Sequence, residues 1–375
     1  MRIAFYDPNR ADYHVGSVFE RPLGGTQSAA CYLAMELAGL GHEVIYLAGA
    51  AQPCVVRGVA CPGRAYLRAS ALAELEPDVL VVIQQAGSGA ALRKHLPARA
   101  RLIFWTADTA YQELVTPLKD AGERDAYDAV ITVSAWQREQ FATAFPQLAG
   151  KLVVLRYGMS PAFQGLFPAG APVLSAKAWP PILAYTSTPF RGLDVLLHLF
   201  PEIRRRVPGA RLQVFSGMRV YFIEPLVDAA GYRALYEQAR ATEGVDYVGN
   251  VAQAALAERM TSVSMLCYPN TYEETACISV MEALAAGCAV LTSALGALPE
   301  TLGGRGTLID PRDPAYVAKF VEAAVELLEA QRREPGAEES RRRQQVDWAR
   351  ATYDWPTRAR EWDGWLRSLA PATGG

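Results

Sequence analysis

The chain has 375 residues, of which 51% are apolar and 20% charged. That length suits two domains of ordinary size, and that balance excludes a disordered chain. A formal net charge of −2 at pH 7 gives no general attraction to nucleic acid or to an anionic surface.

The first half alternates strand and helix signals. Ile3 to Tyr6 reads as a strand, Thr26 to Leu40 as a helix ended by Gly41, and Glu43 to Leu47 as a second strand. Asp78 to Ile83, Leu102 to Trp105, Ala129 to Val133 and Leu152 to Leu155 are further strands, and Ser134 caps a helix that begins Trp136-Gln137. Residues 163–181 are rich in Gly, Pro and Ala, have little periodicity and read as an interdomain linker. A second alternating set follows. Ile182 to Thr186, Arg211 to Phe215, Val245 to Val248 and Met265 to Tyr268 read as strands, and Leu193 to Arg206, Tyr232 to Thr242 and Ala255 to Thr261 as helices. Such alternation predicts parallel sheets with helices on both faces. From about Asp313 the chain is helical and charged. Arg341-Arg342-Arg343, beside Glu338 and Glu339, reads as a solvated helix face. Trp362, Trp365 and Leu369 recur at helical spacing near the end; a docked helix and a plain amphipathic end helix both fit them.

No pair among the six cysteines has the two-residue gap of a zinc knuckle or redox motif, and several lie in apolar surroundings, which suits a reducing, cytoplasmic setting. The opening MRIAFYDPNR reads as a strand, not a leader. The longest weakly polar stretch, after Ile278, is interrupted by Glu282, Gly287 and Pro299, so no transmembrane helix is expected.

The most informative stretch runs from Tyr268 to Glu300. Pro269 and Asn270 punctuate a loop, Glu274 stands at the mouth of a helix, and Glu282 follows eight residues later. The helix ends at Ala286-Gly287, and Cys288 to Leu291 reads as a buried strand. A strand-loop-helix unit with acids at this spacing can hold a sugar nucleotide. Open amides at the helix start face a phosphate, Glu274 reaches a sugar ring, and Glu282 accepts ribose hydroxyls.

This stretch resembles the E-x7-E signature of the retaining glycosyltransferases of family 4. The likeness continues through Ala285-Ala286-Gly287 and Gly296-Ala297-Leu298-Pro299-Glu300. The resemblance implies an α/β, GT-B architecture: two doubly wound, Rossmann-like domains facing a cleft. Residues 1–165 would form the acceptor-side domain, 166–180 the linker and 181–355 the nucleotide-sugar domain, with a final helix, 356–375, crossing back to the first domain.

Three further segments carry the resemblance. Gly24-Gly25 lies between the first strand and first helix, where the family faces donor phosphates and acceptor with a Gly-Gly pair; an ordinary glycine turn is the plainer reading. Ser187-Thr188-Pro189-Phe190-Arg191-Gly192 follows the first strand of the second domain, and Arg191 there can oppose the charge of a leaving diphosphate. The family often has another arginine a few residues earlier. Here that region is Tyr185-Thr186-Ser187, and the hydroxyls of Ser187 or Thr188 would contribute hydrogen bonds instead. Trp105-Thr106-Ala107-Asp108 occupies a loop where many relatives place a histidine; its counterpart is Ala107, while Asp108 can orient an acceptor hydroxyl or cap a loop. His42 lies in a turn where a structural role is the commoner one.

The resemblance places the diphosphate against Arg191 and the amides around Thr275, Ala276, Cys277 and Ile278, and the base near Asn250-Val251. Thr275-Ala276-Cys277 departs from the family's common Gly-Phe-Gly, which puts its sugar specificity beyond transfer. No metal site is read, because no Asp-x-Asp stands at a strand end; Asp125 and Asp128, or Asp310 and Asp313, are spaced differently. The implied activity is metal-independent, retaining transfer from a UDP- or GDP-linked sugar to a glycan, lipid-linked or small-molecule acceptor, by same-face attack. No separate cofactor is expected, and no nucleic-acid partner. A lipid-linked acceptor would bring peripheral contact with the inner membrane face. Two rivals stand beside it: a GT-B sugar-nucleotide epimerase, and a degenerate sugar-nucleotide binder.

Overall fold

The computed structural model describes residues 1–369, so residues 370–375 of the expected final helix lie outside the described residues. The chain divides into two compact units. The first comprises Met1–Val18, Gly25–Gly158 and the chain from Trp355; the second comprises Phe19–Gly24 and Met159–Asp354.

The first unit is built on eight strands: β1 (Arg2–Tyr6), β2 (Glu43–Leu47), β3 (Cys54–Val56), β4 (Val59–Cys61), β5 (Val79–Ile83), β6 (Arg101–Trp105), β7 (Ala129–Thr132) and β8 (Leu152–Val154). They lie in the order β3-β4-β2-β1-β5-β6-β7-β8. All pairs are parallel except the β3–β4 hairpin, which the sequence reading did not anticipate. β5 reads VLVVI and is buried at every residue, as a central strand covered on both faces must be. The helix Trp355–Leu369 packs here. Trp362 is fully buried and lies edge-on to Trp105, with centroids 5.0 Å apart, and Trp355 lies 6.1 Å from Tyr32. Of the two readings of this helix, the docked one describes it. His42 is buried and bonds Asp363 on the same helix at 2.8 Å, a structural task.

The second unit holds β9 (Ile182–Tyr185), β10 (Arg211–Val214), β11 (Val245–Tyr247), β12 (Met265–Tyr268), β13 (Ala289–Ser293) and β14 (Thr307–Ile309). Their order, β11-β10-β9-β12-β13-β14, is all parallel and reverses direction between β9 and β12. The segment read as a linker is packed within this unit. Phe167 and Val173 are buried with Val346, and the amides of Val173 and Leu174 donate to Glu339 at 2.9 and 2.8 Å. The basic run is only partly a solvated face. Arg342 turns inward onto buried Glu338 at 3.0 Å, because position 342 falls on the inward side of its helix, Pro335–Thr352. The helix expected from Tyr232 begins earlier, at Pro225, and is kinked at Tyr232.

Candidate functional site

In open parallel sheets, ligands bind beyond the carboxyl ends of the strands where the strand order reverses. In the second unit that point lies between β9 and β12, and the loops after these strands hold the principal candidates. After β9 come Ser187, Thr188 and Arg191, then Gly192, which opens the helix Leu193–Arg206 with φ +106°. Only glycine is at ease there, and any side chain at 192 would also meet the carbonyl of Pro269 in the loop after β12. That second loop is folded by buried Asn270. Its side chain accepts from the Tyr272 amide at 3.0 Å and donates back to the Tyr272 carbonyl. The turn delivers Glu274, whose carbonyl is fixed by the Ala297 amide at 2.6 Å.

Arg191 and Glu274 meet here. Arg191 Nη1 donates to Glu274 Oε1 at 2.9 Å, Nη2 donates to the Tyr221 hydroxyl at 3.2 Å, and the guanidinium carbon lies 4.5 Å from the Tyr272 ring centroid. Burial pulls the Arg191 pKa down, but the Glu274 charge, helped by Tyr221 and Tyr268, more than offsets this and holds the guanidinium above its ordinary value. Glu274 Oε1 also accepts from the Tyr268 hydroxyl at 2.7 Å, and that hydroxyl lies 3.2 Å from Ser187 Oγ. Tyr185, edge-on to Tyr268 at 5.7 Å, donates to the Thr188 carbonyl at 2.7 Å. Sequence reasoning passed over Tyr185, Tyr221 and Tyr268; the only available signal was that Tyr185 and Tyr268 each end a strand bordering the reversal.

Thr275 and Cys277 are buried, while Ala276 and Ile278 are half-buried. The helix Ile278–Ala285 starts at Cys277 without a side-chain cap, as does the helix after Gly192. Both therefore present open amides, the condition for holding an anion. Ser279 Oγ donates to the Thr186 carbonyl at 2.6 Å and ties the two loops together. Glu282 is 4% exposed, and among the described residues its side chain's one hydrogen bond is a long one, 3.4 Å from the Ser160 amide. Burial pushes its pKa up to about 8, with the Ser160 amide opposing. Beyond β9 and β10 the hydroxyls of Thr186, Thr188 and Ser216 are buried and, among the described residues, unpartnered.

Asn250 and Val251 are half-buried after β11, and Asn250 Nδ2 donates to the Gly217 carbonyl at 3.4 Å. Asp228, which sequence reasoning missed, organises that region. It accepts from the Met218 amide at 2.9 Å and the Tyr236 hydroxyl at 2.6 Å.

Asp108 and Gly25 belong to the first unit, whereas Gly24 belongs to the second. Gly25 begins the helix Gly25–Gly39. Asp108 is buried in a loop clamped by Gln137, whose Nε2 donates to the Asp108 carbonyl at 2.7 Å and the Thr106 carbonyl at 3.1 Å. Asp108 Oδ1 accepts from Gln84, Gln84 from Gln27, and Gln27 also donates to buried Asp7, each at 3.3 Å. Gln84 has φ +66°, an uncommon conformation for a residue with a side chain. Asp7, Gln27 and Gln84 were not singled out from sequence.

Residues 181–330, wholly inside the second unit, match the family model described as glycosyl transferases group 1. Over that segment the chain is similar to the group 1 glycosyltransferases. The resemblance read from the Tyr268–Glu300 stretch holds at that level. Among curated proteins, the chain is 31% identical over 145 residues to a phosphatidyl-myo-inositol mannosyltransferase of Mycobacterium tuberculosis, covering 38% of this chain and 35% of the relative. It is 28% identical over 256 residues to a GDP-mannose-dependent alpha-(1-6)-phosphatidylinositol monomannoside mannosyltransferase of the same organism, covering 65% and 62%. An O-antigen chain mannosyltransferase B of Escherichia coli is 26% identical over 206 residues, covering 52% and 51%. The chain thus spans between about one third and just under two thirds of these relatives.

Solved structures match over almost all of the chain. Sucrose-phosphate synthase from Thermosynechococcus elongatus superposes with a TM-score of 0.71 at 18% identity, covering 98% of this chain and 99% of that one. WaaG, a glycosyltransferase involved in lipopolysaccharide biosynthesis, does so with 0.66 at 17% identity, covering both chains fully. At such identities the likeness speaks for the fold, and the expected α/β architecture of two Rossmann-like units of the GT-B kind is the one observed.

Proposed function

We propose that the chain is a retaining glycosyltransferase that moves a sugar from a nucleoside-diphosphate sugar to a glycan, lipid-linked or small-molecule acceptor. The observation that carries this reading is the meeting of Arg191 and Glu274 at the strand-order reversal, between two uncapped helix starts. Breaking the bond from sugar to diphosphate builds negative charge on the leaving group and positive charge on the sugar. Arg191 and the open amides of the two helices oppose the first charge without requiring a metal ion. Glu274 binds hydroxyls of the donor sugar. Glu282, one helical turn and more beyond Cys277, takes the ribose, and the loops at Asn250-Val251 and Ser187-Thr188 complete the donor site. Acceptor attack comes from the same face, with the leaving phosphate taking the acceptor proton; Asp108 serves the acceptor. The curated relatives are mannosyltransferases, one of them GDP-mannose-dependent by name, which makes GDP-mannose the first donor to test.

The test is release of nucleoside diphosphate from GDP-mannose, UDP-glucose and related donors, for the wild type and Arg191→Ala. Release from one donor that Arg191→Ala largely abolishes is the expected result. A wild type that binds a donor yet turns none over with any acceptor supplied overturns the reading in favour of a degenerate binder, one that neither binds nor turns over any donor overturns the donor site itself, and conversion of the sugar without transfer would make the protein an epimerase.

A further inference from the structure

Tyr268 is buried, its hydroxyl is committed to hydrogen bonds, and the reaction outlined above makes no use of it. It stands at the end of β12, six residues before Glu274. Two donors, Tyr268 and Arg191, converge on the same oxygen of Glu274, Oε1. Among the described residues no hydrogen bond reaches Oε2. One carboxylate oxygen is therefore fixed by the protein and the other is left to accept a ligand hydroxyl.

The two donors are not equivalent. The Arg191 guanidinium is mobile in principle, on a long side chain, and a bound diphosphate competes with Glu274 for it. Tyr268 has no such alternative. Its ring is held edge-on by Tyr185, and its hydroxyl sits between Ser187 Oγ and Glu274. Burial, reinforced by the Glu274 charge, keeps the phenol protonated and so always a donor.

We propose that Tyr268 is a positioning residue for the donor sugar: it anchors Glu274 so that Arg191 can turn to the diphosphate while Oε2 keeps its aim at a sugar hydroxyl. The proposal rests on the donor reading above. It separates two neighbouring tyrosines by task. Tyr268 serves the sugar through Glu274, and Tyr185 serves the diphosphate loop through the Thr188 carbonyl. Ser187 supports the Tyr268 hydroxyl through its Oγ, 3.2 Å away.

The experiment is calorimetric titration of the whole chain with GDP-mannose and UDP-glucose, and with free GDP and UDP. The proteins are the wild type, Tyr268→Phe, Ser187→Ala, Glu274→Gln and the Tyr268→Phe/Glu274→Gln pair, each checked for an unchanged melting transition. Free diphosphate lacks the sugar, so only a sugar-directed role changes the ratio of the two affinities. Tyr268→Phe is expected to weaken the preferred sugar nucleotide about tenfold, the scale of one hydrogen bond to a charged group, and to leave the diphosphate within about twofold. The pair should be no weaker than Glu274→Gln alone, and Ser187→Ala should show a smaller loss of the same kind. Equal weakening of sugar nucleotide and diphosphate, or no weakening by Tyr268→Phe, overturns the proposal. Should Tyr268→Phe lose its melting transition, an unchanged affinity ratio in Ser187→Ala overturns it instead. A wild type that binds neither kind of ligand would overturn the donor reading itself, a different outcome from either of these.

Discussion

Arg191 and Glu274 are 83 positions apart in sequence and 2.9 Å apart in space, each delivered by the loop beyond one of two adjacent strands, β9 and β12. The side chain of Glu274 is 6% exposed and that of Arg191 20%, so each leaves the other's charge poorly solvated when removed. Arg191→Ala and Glu274→Ala should each lower kcat/KM about tenfold to a hundredfold, from the loss of a charged hydrogen bond. The double variant should fall well short of the product of the two losses. Arg191→Ala should act more on kcat than on donor affinity, because it opposes charge that develops late. Fully multiplicative losses in this cycle would show that the two residues act apart.

Glu282 makes stability and nucleotide affinity depend on pH in opposite senses. Its pKa rises from an ordinary 4.5 to about 8 on folding, through burial. The folded chain therefore holds this proton more tightly than the unfolded chain between those values. Stability from this group is full below about pH 4.5, declines as pH rises towards 8, and is flat above. A ribose that donates to Glu282 needs the ionised form, so affinity for GDP or UDP should climb through pH 8. Glu282→Gln should flatten both slopes relative to the wild type, measured by melting temperature and calorimetry from pH 5 to 9. A parallel pair of profiles would contradict the assignment.

Gly192→Ala should damage the site through the backbone. At φ +106° an alanine costs about 1 kcal/mol or more, and its Cβ would meet the Pro269 carbonyl. The loops after β9 and β12 would have to part, and Arg191 with them. A lower melting temperature together with weaker diphosphate binding is the expected pair of results.

Trp362→Ala should destabilise the first unit by about 3–5 kcal/mol, the range for deleting a large buried aromatic side chain. Urea unfolding followed by circular dichroism reads this directly. A loss below 1 kcal/mol would mean that the helix Trp355–Leu369 contributes little to that unit.

Much of this was legible in sequence because the second unit alternates apolar strands with amphipathic helices at short spacing. The strands from Ile182, Arg211, Val245 and Met265 were found within a residue of their ends. Arg191, Glu274 and Glu282 stood out through their places at helix starts after strands and through the resemblance to the E-x7-E signature. Other features left no such trace. β3, β4 and β14 are three residues each and were not read as strands. Tyr268 reads in sequence as the last apolar residue of a buried strand, and only the fold shows where its hydroxyl points. Asp7, Gln84 and Asp108 follow three different strands, and only the order β1-β5-β6 makes them neighbours. The inward turn of Arg342 depends on which side of its helix faces the helix Ile278–Ala285, something a run of three arginines does not encode.

The membership of Trp355–Leu369 in the first unit sets an order for biosynthesis. Everything from Met159 to Asp354 leaves the ribosome before the segment that fills the surroundings of Trp105 and Tyr32. Until then the nascent first unit lacks Trp355, Trp362 and Leu366, all buried in the finished fold, and must expose the apolar surface they cover. A ribosome stalled near residue 350 would thus display a binding face for chaperones on a domain whose sheet is already complete.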